Sequence, residues 1–255
     1  MLNDPIFYAV AVPAVIILGL AKGGFAGVGV VAVPLMTLIM PPVQAASIIL
    51  PILLVQDVVG VWAFRRTVEF GLLKLLLPSA AIGIFLGFAL AAFVSSAAVE
   101  LAVGAVSIVF ALQRLWAERA VKAAAEVQGK PSSAILGAIC GAASGFTSQI
   151  AHAGGPPFQM YVLPKRLPRD LFIGTSAVFF AVVNWMKVPA YFALGQINRD
   201  SLSAAGVLLP FAVASTWAGV ILVRKVPAEG FYRFIYVLLV VVGAKLVWDG
   251  AAGLL

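Results

Sequence analysis

The chain alternates long apolar runs with short polar or glycine-rich breaks. The pattern predicts helical segments at 6–21, 24–40, 43–64, 71–93, 97–117, 133–149, 153–163, 171–193, 202–222 and 231–249. Breaker signals separate most of them, at Gly23-Gly24, Pro41-Pro42, Gly71, Gly195 and Pro227. Most of the runs approach the roughly 20 residues that span a bilayer core as a helix. Backbone polar groups in hydrocarbon must bond within their own segment, so these runs read as helices. The expected fold class is an all-α polytopic membrane protein. It has about ten helical segments, roughly eight spans plus re-entrant or broken helices.

The pattern occurs twice. "LLLPSAAIGIFLG" at 75–87 is matched by "VLLPFAVASTWAG" at 207–219, an offset of 132 that runs on to Trp116 and Trp248. Pro78, Ala80, Gly87, Leu90, Val109 and Trp116 each meet an identical residue in the second half. Two glycine-rich breaks, "AKGGFAGVGVVAVP" at 21–34 and "ASGFTSQIAHAGGPP" at 143–157, align at an offset of 121, Phe25 with Phe146. One duplication of five segments accounts for both registers. It divides the chain into a first transmembrane repeat at 1–117, a linker at 118–132 and a second repeat at 133–255.

Charge orients the two halves. The net charge is +7, yet only 11% of residues are charged and 63% are hydrophobic. Basic residues confined to short loops orient spans and do not point to nucleic acid. If segments alternate sides, thirteen Lys and Arg fall on one side, Arg65 to Arg233, against Arg199 and Lys245 on the other. The basic side is cytoplasmic by the positive-inside rule. The N-terminus is then outside and the linker inside, so the two repeats are inverted. The start "MLNDPIFYAV" has no basic region and no small-residue cleavage site, and reads as the beginning of a span. One cysteine, Cys140, allows no internal disulfide, and one histidine with one distant cysteine makes no metal-ligand set. No cofactor is implied.

Segment 153–163 is too short to span, at about 1.5 Å per residue. The stretch 133–163 therefore reads as a hairpin entering from the cytoplasm. By the repeat, 6–40 is its counterpart from outside, with longer arms of 16 and 17 residues; two short spans would give the same sidedness. Irregular backbone at membrane depth is tolerated where it is buried in protein or lines a cavity. Two glycine tips meeting near the centre would offer backbone N–H groups and helix N-termini, which favour anions.

These two stretches also carry a resemblance. "GLAKGGFAGVGVVAVPLM" at 19–36 and "GAASGFTSQIAHAGGPPFQMYVLP" at 141–164 resemble the paired signatures of the sulfite exporter TauE/SafE family. The first departs from the family's usual Gly-Gly-Gly run, because Gly29 is followed by Val30 and Val31. The resemblance implies a secondary transporter, an exporter, in the bacterial cytoplasmic membrane. Its substrates would be small sulfur-containing anions such as sulfite, sulfonates, sulfoacetate or related organic acids. The partners implied are that anion and the lipid bilayer; the oligomeric state stays open, a homo-oligomer included.

The candidate binding residues cluster at the breaks and on two facing segments. Lys22, Gly23 and Gly24 form the first tip. Ser144, Thr147, Ser148, Gln149, His152, Gly154 and Gly155 form the second, with hydroxyl, amide and backbone donors around one histidine. Asn184 and Lys187 share a helical face in 171–193, and Gln56 and Asp57 hold roughly the equivalent place in 43–64. Intramembrane ionisable groups are functional candidates by default. Asp57 and His152 are also candidates for coupling or an internal ion pair. No Walker motif is present, which excludes ATP coupling within this chain. An anion channel or facilitator is the alternative class, and an intramembrane serine hydrolase using Ser144 and His152 is a further one. The charge count makes a direct prediction. Single cysteines at positions 130 and 199 are expected to react with an impermeant thiol reagent from opposite faces of the membrane. Labelling of both from one face would refute the inverted arrangement.

Overall fold

The computed structural model describes residues 4–25, 27–91, 93–121, 133–223, 225 and 229–254. Most of the linker (122–132), with Lys122 and Lys130, and also Arg224 of the basic set, lie outside the described residues. The described residues form ten α-helices and no strand. They are α1 (Pro5–Lys22), α2 (Ala32–Thr37), α3 (Pro42–Phe64), α4 (Phe70–Ala91), α5 (Ser96–Val121), α6 (Ala134–Ala151), α7 (Gly155–Val162), α8 (Arg169–Ala193), α9 (Arg199–Leu222) and α10 (Glu229–Ala252). Two 3₁₀ turns, Val28–Val31 and Leu163–Lys165, adjoin α2 and α7. All except α2 and α7 are long and apolar enough to cross a membrane, eight in total.

Local chemistry sets the helix starts. Asp4 caps α1 by accepting from the Ile6 amide at 2.9 Å, with Pro5 in the first turn where no N–H is missed. Ser133 accepts from Leu136 at 3.1 Å to start α6. Asn198 and Ser201 exchange bonds in a capping box at the start of α9.

The first break is shorter-armed than the pattern implies. The segment expected as one arm at 24–40 is a bend, a 3₁₀ turn and the six-residue α2. Gly24 and Gly27 take φ of +134° and +102°, a region that breaks a right-handed helix and that side chains resist. The valines at 28, 30 and 31 follow in a tight turn. The outcome makes the two breaks alike: an 18-residue helix, a glycine bend, then a short helix folded back on it.

The halves interlock. α1 packs on α9, and α6 packs on α4, so the first helix of each repeat docks on the fourth of the other. α5 packs on α10 and α3 on α8. Exchanging the halves reproduces the same pairings. Directions follow from the glycine contacts. Gly19 and Gly23 of α1 meet Ser215 and Gly219 of α9, so these two run parallel. Gly83 and Gly87 of α4 meet Ala142 and Gln149 of α6, another parallel pair. Gly104 of α5 meets Gly243 of α10 while Gly250 meets Leu101, so that pair is antiparallel. Short connections make consecutive spans antiparallel, and each helix of one repeat therefore runs opposite to its counterpart. The repeats are inverted.

Lipid supplies no hydrophobic force between helices, so association depends on close backbone approach through small residues. A Cβ on Gly83 would lie 1.9 Å from the Ala142 carbonyl oxygen, a backbone atom that cannot step aside. Gly206 of α9, in contrast, has open space around its missing Cβ. Gly83→Ala is expected to lower stability by about 1–3 kcal/mol or more, the scale of an overpacked core. Gly206→Ala is expected to leave it unchanged or slightly raised. Thermal unfolding of the two purified variants in one detergent checks the contrast; equal melting temperatures would refute the role of the α4–α6 contact.

Candidate functional site

A cavity of about 110 Å³ opens where the two breaks meet. Gly24, Gly27 and Gly29 line it from the first break, and Ser148, His152 and Gly155 from the second. Lys22, Gln159, Ser176 and Asn184 bring polar groups to the same wall. The short helical pieces both begin here: Gly27 is the N-cap of the 3₁₀ turn and Gly154 the N-cap of α7. N-terminal N–H groups have no acceptor within their own helix and carry the positive end of its dipole.

Four carbonyls of the second tip have side-chain donors. Ser144 Oγ donates to the Gly154 carbonyl at 2.7 Å, and Thr147 Oγ1 lies 3.0 Å from that of Ala153. The Tyr191 hydroxyl donates to the Gln149 carbonyl at 3.0 Å. Lys187 Nζ donates to the Ser148 carbonyl at 3.2 Å and to Ser148 Oγ at 3.1 Å.

His152 completes this tip. It ends α6 at φ +52°, a left-handed conformation that costs a non-glycine residue roughly 1–2 kcal/mol. Its Nε2 is 2.9 Å from the Ala46 carbonyl and its Nδ1 is 2.6 Å from Lys187 Nζ. A carbonyl only accepts, so Nε2 carries a proton. Nδ1, the Ser148 carbonyl and Ser148 Oγ then give Lys187 three acceptors, the complement of an ammonium. Lys187 is 0% exposed and has no carboxylate in ion-pair range among the described residues.

The one buried central acid ties the repeats together. Asp57 Oδ1 accepts from Lys22 in an ion pair, and its Oδ2 accepts from Asn184 Nδ2 at 2.6 Å. Asp57 stands sixteen residues after the proline N-cap of α3, and Asn184 sixteen after that of α8. Equivalent positions of the two repeats therefore bond to each other. Lys22 Nζ also lies 5.6 Å from the centre of the Phe180 ring.

The remaining predicted residues stand outside the cavity wall. Gly23 packs on Gly219, which lets α1 approach α9. Gln56 donates to the Ala212 carbonyl at 3.4 Å, and its Oε1 has no partner. Gln149 packs its side chain on Gly87 of α4, also with an unpartnered Oε1. Ser144, Thr147 and Gly154 build the tip and do not line the cavity. Lys187 sits behind Ser148 and His152, one layer out. The sequence reading did not single out Gln159, Ser176, Tyr191, Gly27 or Gly29. Gln159 carried a legible signal, as a lone amide in an apolar piece after the Gly-Pro-Pro break; Tyr191 carried none, since its role depends on α8 passing the tip.

The Ser144–His152 pair is not a dyad. The Ser144 hydroxyl is bonded to Gly154, and both His152 nitrogens face other groups. The layout is that of a cavity lined by residues of both breaks. The family model for the sulfite exporter TauE/SafE matches residues 11–246, nearly the whole chain. The chain belongs to this family. It is a multi-pass membrane protein of a transporter family for sulfite-type anions. No curated protein and no solved structure gave a significant match.

In a member of this family, the Lys22–Asp57 pair is the link whose loss is most readily measured. Asp57 is 2% exposed and Lys22 15%. Removing one partner of a buried pair costs about 3–5 kcal/mol, because the other charge is left uncompensated. Asp57→Asn is therefore expected to lower thermal stability strongly. The double variant Lys22→Met/Asp57→Asn is expected to recover part of that loss, a non-additivity that a double-mutant cycle reads directly. Additive losses would show that the two side chains do not act as a pair.

Proposed function

We propose that the protein is a secondary transporter that exports small sulfur oxyanions, such as sulfite or a sulfonate like sulfoacetate, across the bacterial cytoplasmic membrane. The anion binds in the cavity between the two glycine tips. One observation carries this reading: both short helical pieces begin at the cavity, while the carbonyls of Ser148, Gln149, Ala153 and Gly154 are bonded to side chains. Charge supports it. Asp57 balances Lys22, which leaves the Lys187 ammonium as an excess positive charge behind the wall. Buried charge is costly, and a bound oxyanion relieves it.

Sidedness and energy source complete the proposal. The basic loops favour an N-terminus outside and a cytoplasmic 118–132 linker, and a site near the bilayer midplane is common in inverted-repeat transporters. An inside-negative potential drives an anion outward with about 2.3 kcal/mol per charge per 100 mV. Export against a modest gradient then needs no further input.

Reconstituted protein tests the reading. Parent proteoliposomes are expected to release loaded sulfite with saturable kinetics, faster under a potential that is negative inside. Lys22→Met and Lys187→Met keep most of the volume, remove the charge, and are expected to cut the rate at least tenfold at equal inserted amount. Methanesulfonate is expected to compete with sulfite, and neutral methanesulfonamide is not. Equal rates in the parent and both Met variants, or equal competition by the neutral analogue, would overturn the proposal; flux without saturation would indicate a channel.

A further inference from the structure

We propose that Gln159 is the specificity-determining residue of the cavity: its carboxamide donates an Nε2–H bond to an oxygen of the bound sulfur oxyanion, across the gap between the two tips. The inference rests on the transport site proposed above and adds the group that reads the ligand.

Gln159 is 5% exposed and lines the cavity. Its amide is open to that cavity, and no hydrogen bond joins it to another described residue. An amide that faces a cavity with no protein partner is free to bond a ligand there. The other polar side chains on the wall are committed. Lys22 and Asn184 both bond Asp57, His152 bonds Ala46 and Lys187, Ser148 Oγ accepts from Lys187 at 3.1 Å, and Ser176 donates to the Phe172 carbonyl at 2.8 Å. Gln159 is the uncommitted carboxamide.

Its position is held by the opposite repeat. Gln159 lies one turn into α7 from Gly155, and a Cβ on Gly155 would lie 3.9 Å from Nε2. On the other side, a Cβ on Gly27 would lie 3.2 Å from Nε2 and 3.4 Å from Oε1. The amide of the second repeat thus rests against the bare backbone of the first tip, at a residue whose φ of +102° already favours glycine. It stands between the first turn of α7 and the bare backbone of Gly27, facing the cavity. A neutral donor there adds a directed bond to an oxygen without adding charge. An amide also stays neutral at any working pH, so it accepts univalent and divalent oxyanions alike; a carboxylate in its place would not.

The test uses the full chain purified in detergent, with sulfite at pH 8 and methanesulfonate as probes and thermal shift as readout. Gln159→Met is expected to leave the melting temperature of the ligand-free protein unchanged, because the amide has no partner to lose. It is expected to weaken binding of both probes by roughly ten- to a hundredfold, the value of one lost bond to a charged ligand. Gln159→Glu is expected to weaken sulfite more than methanesulfonate, shifting preference toward the univalent ion. Gln159→Asn keeps an amide one methylene short and is expected to weaken binding as Met does; it serves as the test if the Met variant does not fold. Parent-like affinity in Gln159→Met, or a loss of affinity accompanied by a lowered ligand-free melting temperature, would overturn the inference. If Lys22→Met loses binding while Gln159→Met does not, the transport site stands and only the role of Gln159 falls. A parent protein that binds neither probe overturns both.

Discussion

Breaking a helix inside an apolar bundle frees backbone groups that no water can satisfy, and most polar residues near the centre of this protein follow from that constraint. At the second break side chains bond several carbonyls: Ser144 serves Gly154, Tyr191 serves Gln149, and Lys187 adds a bond to Ser148, whose carbonyl also accepts the His152 amide. The first break relies on its own backbone, with the amides of Gly23, Gly24 and Phe25 bonding back to Gly19, Ala21 and Leu20. At the cavity both short helical pieces begin, and the nearby carbonyls of Ser148, Gln149, Ala153 and Gly154 are bonded to side chains.

The same economy governs charge. Asp57 bonds both Lys22 and Asn184, and in doing so joins α1, α3 and α8, elements of both repeats. Lys187 takes a different solution, three neutral acceptors in place of an anion. The two lysines are therefore unequal. Lys22 borders the cavity as half of a pair, and Lys187 contributes field from behind His152 and Ser148.

Intimate packing of small residues lets an interlocked fold of this kind exist. α1 lies on α9 and α6 on α4 through glycines whose missing side chains leave no room even for a methyl group. Each repeat so lends its broken helix to the other half. Both tips are positioned by helices from the opposite repeat, which places them in one cavity. A rigid shift of one half against the other would carry its tip along, which links the packing to access.

Much of this was written locally. The apolar runs and breakers determine the ten helices and the eight of spanning length, because hydropathy and the 3.6-residue period act within a segment. The repeat and the glycine clusters determine where the breaks fall, and the lone charges at Lys22, Asp57, His152 and Lys187 mark the centre. Even so, the apolar run at 24–40 predicts one helix, whereas positive φ at Gly24 and Gly27 bends the chain and leaves a 3₁₀ turn and a short helix. Tertiary structure alone decided the pairing: Lys22 with Asp57 rather than with the second tip, Gln149 turned to α4, Lys187 behind the wall, and Gln159 into the cavity. In lipid, apolar surface has no preferred partner. Which helix meets which is set by the fit of small residues and by the need to satisfy each buried polar group, and both are properties of the assembled bundle.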